Sequence, residues 1–155
     1  MFEIFGYLWG KNANAYKEYL KENKDVFLYS NINYTKLLTS VIDFVYNKEE
    51  DTYQKLDTKN ITVIDNGEYQ GTLLFIIPYD IYQPASYEYI YTKIHYGSCS
   101  GCDALQNALM YAEDNEEKSI DSIWKISLDL LANCKKLEES AFDERDKFIQ
   151  MKWNV

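Results

Sequence analysis

The chain has 155 residues, 46% hydrophobic and 16% aromatic with fifteen tyrosines, which excludes a disordered composition and allows one domain with its own core. Its 25 acidic residues outnumber 16 basic ones for a formal charge of −9, and Arg145 is the sole arginine, which argues against a nucleic-acid-binding surface. An acidic surface of this kind suits solubility or a basic partner.

Residues 1–7 lack a basic flank, and Glu3 interrupts their short apolar run, so no secretory signal is expected. No window approaches the roughly 20 apolar residues of a membrane span. A cytoplasmic protein is the expectation. There a Cys-x-x-Cys points to metal or redox chemistry rather than to a structural disulfide, and an odd cysteine count fits a disulfide framework badly.

The first dozen residues, with Phe2, Ile4, Phe5, Tyr7, Leu8 and Trp9, read as a strand or docked arm broken at Gly10-Lys11-Asn12. A short helix over 13–22, capped by Asn12 or Asn14, would carry Tyr16, Tyr19 and Leu20 on one face. After a brief apolar run at 25–30 and a loop at 31–33, Leu37, Leu38, Val41, Ile42, Phe44 and Val45 recur at helical spacing. Residues 47–60 read as a polar linker.

The period then changes to that of strands. Residues 61–64 and 69–77 flank Asn66-Gly67, a strong hairpin signal, and Pro78 closes the second run. A third strand over 87–96 alternates Tyr89, Tyr91, Lys93 and His95 with Ile90, Thr92 and Ile94. Asp103 is a candidate N-cap for a helix carrying Leu105, Leu109 and Met110. A longer helix starting at Ser119 or Asp121 and reaching about Glu139 would carry Ile120, Ile123, Trp124, Leu130, Leu131, Cys134 and Leu137. Residues 142–153 read as a final amphipathic turn or two. The fold class expected is α+β: an antiparallel sheet of three strands, or slightly more, packed against several helices in a single domain spanning 1–155.

The chemistry concentrates between the third strand and the helix after it. Cys99-Ser100-Gly101-Cys102 has zinc-knuckle spacing, because two thiolates must each approach one ion at about 2.3 Å across a sharp turn. Gly101 is expected to supply a positive φ for that turn, and Gly97 a tight reversal after His95. Cys134 is the remaining thiol. Every cysteine and the single histidine then fit one structural zinc site of His95, Cys99, Cys102 and Cys134, closed to water and so non-catalytic. The competing readings are a buried structural role for Cys134 and redox chemistry at Cys99 and Cys102. Structural zinc contributes on the order of 10–16 kcal/mol of apparent binding, so chelation or Cys102→Ser should loosen the sheet–helix junction. The tyrosines at 79, 82, 87, 89 and 91 form a dense patch, and any exposed subset suits protein binding.

The stretch Tyr96-Gly97-Ser98-Cys99-Ser100-Gly101-Cys102-Asp103-Ala104-Leu105-Gln106 resembles a group of small bacteriophage and mobile-element proteins sharing Y-G-S-C-S-G-C-D-x-L-Q after a tyrosine-rich strand. In size and acidity the chain is also similar to type II anti-CRISPR inhibitors. The resemblance implies a zinc-stabilised, non-enzymatic protein of a bacterial host's cytoplasm that binds a CRISPR effector nuclease and blocks its DNA binding, without itself binding nucleic acid or membrane. Contact surfaces would be the acidic stretches 49–51, 113–117 and 138–146. The alternatives are a phage enzyme or redox protein using Cys99 and Cys102, and a virion structural or assembly protein.

Overall fold

The computed structural model describes residues 2–48 and 54–137, and it opens on one unbroken helix, α1 (Phe2–Glu22). The expected arm, and the break at residues 10–12, are replaced by continuous helix. A helical glycine costs only about 1 kcal/mol relative to alanine. Against that, Trp9, Tyr16 and Leu20 are all buried, spaced seven and four residues apart along one helical stripe. Trp9 packs edge-on against Tyr16 with ring centroids 5.9 Å apart and tilted against Trp124 at 5.5 Å. Packing of the stripe outweighs the glycine.

A short helix α2 (Lys24–Leu28) follows, then α3 (Tyr34–Val41), whose N-cap Asn33 accepts a hydrogen bond from the Lys36 N–H at 2.8 Å. The chain continues from α3 into a π-helical turn, Ile42–Tyr46. Leu37, Leu38, Val41, Ile42 and Val45 are fully buried, as their spacing predicts.

The sheet has four antiparallel strands in the order β1 (Thr62–Asp65), β2 (Gly71–Pro78), β3 (Tyr89–Tyr96) and β4 (Lys135–Lys136). The α+β class and the first three strands therefore agree with the sequence reading. The β1–β2 connection spans residues 66–70 instead of a two-residue Asn-Gly turn. Asn66 folds its side chain back to accept from the Thr72 N–H at 2.7 Å, and Asp65 accepts from the Gly67 N–H at 2.9 Å.

Strand alternation gives the sheet two unlike faces. Leu73, Phe75 and Ile77 on β2 stand opposite Ile94, Thr92 and Ile90 on β3, and this inner face joins the main core beneath the helices. The outer face carries Leu74, Ile76 and Tyr91, packed with Leu137, and then turns polar at Lys93 and His95.

Two more helices cross the inner face region: α4 (Ala104–Met110) and α5 (Glu116–Ala132). The N-cap of α5 is Asn115, which accepts from the Lys118 N–H at 3.1 Å, rather than Ser119 or Asp121. Ser119 is buried in the helix and donates to the Ala108 carbonyl at 2.7 Å. Met110, expected in the core, is 52% exposed. The expected turns at 142–153 lie outside the described residues.

Candidate functional site

The end of β3 and the start of α4 are tied together by one carboxylate. Asp103 is buried and caps α4, with its Oδ1 accepting from the N–H groups of Leu105 at 3.0 Å and Gln106 at 3.1 Å. The Tyr34 hydroxyl on α3 donates to the same oxygen at 2.8 Å, and the Gly97 N–H donates to Oδ2 at 3.0 Å. Gln106 returns a side-chain bond to the Gly97 carbonyl at 3.1 Å. Burial, together with the facing Asp103 carboxylate, holds the Tyr34 hydroxyl well above the ordinary phenol range, so it stays a donor. Three elements distant in sequence meet on this aspartate. Its capping role was legible from the sequence; its partnership with Tyr34, 69 residues away, had no local signal.

On this platform stand Cys99 and Cys102, both exposed, with sulfurs 2.7 Å apart. The Cys99 N–H donates to the Cys102 sulfur at 3.1 Å. The Cys99 thiol, followed by backbone and side-chain groups of Cys99 and Ser98, favours the Cys102 thiolate and holds its pKa below the ordinary thiol value. The glycine this turn requires is Gly97, not Gly101. A Cβ at Gly97 would lie 2.6 Å from the Cys102 sulfur and 2.5 Å from the Cys102 carbonyl oxygen, whereas one at Gly101 would meet only the Cys99 sulfur, at 3.9 Å. No glycine among the described residues has positive φ, so the φ expected of Gly101 is corrected.

The other two expected zinc ligands are elsewhere. Cys134 lies beyond the end of α5, in the segment entering β4, and not on the helix as its apolar spacing suggests. It is buried in the main core, its thiol donating to the Leu130 carbonyl at 3.3 Å, and burial pushes its pKa up to about 12. The neighbouring Lys135 pairs with Tyr91, which places Cys134 beside Thr92 on the inner face. From Thr92 to Gly97 is five residues of extended chain, or about 16 Å. His95 is on the outer face, exposed, paired with Thr72. Cys134 and His95 are thus on opposite faces of the sheet. Among the described residues no three His, Cys, Asp or Glu side chains gather as a metal-holding group. Alternation along β3 and the early end of α5 place His95 and Cys134 on opposite faces of the sheet.

Beside the cysteine turn is an open cleft of about 400 Å³, lined by Cys102, Ser100, Asn107, Ser122, Lys125 and Ile126 among others. At the far end of the sheet the loop 79–88 projects Tyr82, 91% exposed, and Tyr87, 70% exposed. This loop is pinned at its base: Tyr79 N–H donates to the Glu88 carbonyl at 2.9 Å, and Asp80 N–H to the Lys55 carbonyl at 2.8 Å. Of the other patch tyrosines, Tyr91 is buried, and Tyr79 and Tyr89 are half-buried. Within the acidic stretch 113–117, Glu116 is engaged by the Tyr29 hydroxyl at 2.7 Å and by Lys24 at 3.2 Å, and these contacts, the hydroxyl first, hold its carboxyl below the usual range. The stretches 49–51 and 138–146 lie outside the described residues.

No family model, curated protein or solved structure matches the chain. Among the described residues no helix is long and apolar enough to cross a membrane.

Proposed function

We propose that this chain is an acidic binding protein that inhibits a bacterial defence nuclease, a type II CRISPR effector, by covering its DNA-binding surface. The observation that carries the reading is the loop 79–88, which presents Tyr82 and Tyr87 to solvent from a hydrogen-bonded base, next to exposed Asp80. Tyrosines are frequent interface hot spots, and a pinned loop loses little freedom when it docks. A net charge of −9 complements the basic channel in which such nucleases hold nucleic acid.

The test is a DNA-cleavage assay with a type II effector, alongside co-elution of the two proteins. Wild-type chain should co-elute and inhibit, and inhibition should weaken as salt rises. Tyr82→Ala with Tyr87→Ala should weaken inhibition by about 30-fold or more, the equivalent of one hot spot of ~2 kcal/mol. Wild-type protein that neither co-elutes nor inhibits sinks the reading.

A further inference from the structure

We infer that Cys99 and Cys102 form a redox-active dithiol that reduces a low-molecular-weight disulfide, with Cys102 as the attacking sulfur and Cys99 as the resolving one. The two sulfurs are in contact, 2.7 Å apart, on one exposed turn. Both thiols are free and exposed.

The roles follow from the surroundings. Cys102 lines the cleft of about 400 Å³, where a small substrate has room, and the cleft's Lys125, Asn107 and Ser122 offer polar partners to it. The Cys99 N–H donates to the Cys102 sulfur at 3.1 Å, which favours charge on the sulfur of the cleft-lining residue. Cys99, whose sulfur touches that of Cys102, is within reach of any mixed disulfide formed there.

The exchange balances without a further reagent. The Cys102 thiolate attacks one sulfur of a disulfide RSSR, the S–S bond breaks, and RS⁻ leaves to take up the proton that Cys102 gave to solvent. The Cys99 thiolate then attacks the Cys102 sulfur, displacing the second RS⁻, which takes up the proton from Cys99. Two electrons pass from the protein to the small disulfide, giving two RSH and the Cys99–Cys102 bond.

The test uses the full reduced chain, with glutathione disulfide as the probe, an acid quench, alkylation and intact mass. Wild-type protein should lose two of its three alkylatable thiols and carry no glutathione. Cys99→Ser should trap one glutathione on Cys102, while Cys102→Ser should form its adduct about 10-fold more slowly. Buried Cys134 should resist native alkylation in every variant, which reports that each has folded. A stable glutathione adduct on wild-type protein, equal adduct rates in the two variants, or three thiols left untouched would each overturn the inference. So would a reaction that begins only after a chelator is added, since the pair would then be held by metal.

Discussion

Cysteine flanks β3 at two places, in the turn after its C-terminal end and beside its first half, and the two have made opposite things of it. At the C-terminal end Cys99 and Cys102 sit exposed on a turn anchored by a buried aspartate, with the Cys99 N–H on the Cys102 sulfur. Near the N-terminal end Cys134 is sealed between α5 and the sheet, and its thiol donates to a helix carbonyl. The thiol is the same; the solvent is not. At Cys102, where an N–H faces an exposed sulfur, the thiolate is favoured, and at Cys134, where apolar side chains enclose the sulfur, the proton stays. A cysteine count therefore says little about chemistry until the fold has placed each one.

The exposed end depends on Asp103, and its removal should have the largest effect. Asp103→Ala strips the cap from α4 and leaves the Tyr34 hydroxyl and the Gly97 N–H without their acceptor. Loss of a cap and of charge-assisted bonds at a buried site should cost about 2–4 kcal/mol. Urea titration checks the magnitude, and native alkylation of Cys134 checks the comparison. If the two ends are independent, Cys134 should stay protected in the variant below its unfolding transition. A loss under 0.5 kcal/mol would mean the carboxylate is not what joins the three elements.

The buried end should reveal itself through pH. A thiol in the unfolded chain ionises near ~8.5, while folded Cys134 keeps its proton to about 12. Between those values the unfolded state binds fewer protons, so stability falls as pH rises, by up to about 1.4 kcal/mol per unit from this group. The contribution is complete below the lower value and gone above the higher one. Buried tyrosines such as Tyr46, also raised to about 12 chiefly by burial, act in the same direction at still higher pH. Cys134→Ala isolates the cysteine: it should cost about 1 kcal/mol near neutrality and flatten the decline between pH 9 and 10. An unchanged slope in denaturation curves would place the native thiol in contact with water.

How the two ends look from sequence alone depends on the range of the interactions that build them. Local signals were legible: the strand alternation of β3, the caps at Asn33 and Asp103, and the stripe of α3 all follow from neighbouring residues. Gly10 misled because its local cost is outweighed by Trp9, Tyr16 and Leu20 packing across the core. Cys134 misled for a different reason. Leu130, Cys134 and Leu137 fit a helical stripe, yet the chain leaves the helix after Ala132, and Leu137 reaches the outer face of the sheet through β4. A short strand made by pairing with residues more than forty positions earlier has no signature of its own. The conflict between the zinc ligands was nonetheless present in the sequence. The period of β3 sets His95 and Thr92 on opposite faces, and a helix-borne ligand reaches only one of them.

His95 lies between the two ends and should belong to neither. It is exposed on the outer face beside Lys93, with the sheet between it and Cys134. His95→Ala should therefore move stability by no more than about 0.5 kcal/mol, the usual range for a surface side chain. It should also leave the rate of disulfide formation at Cys99 and Cys102 unchanged. Zinc titration of the reduced protein gives the sharper reading. Two exposed thiols can bind the ion weakly by themselves, and if they act alone the variant and the wild type should have equal affinity. A loss of about 10-fold or more on removing His95 would show the imidazole on the metal. Since the side chain would have to cross from the outer face to the turn, such a result would require the last residues of β3 to leave the sheet when zinc binds.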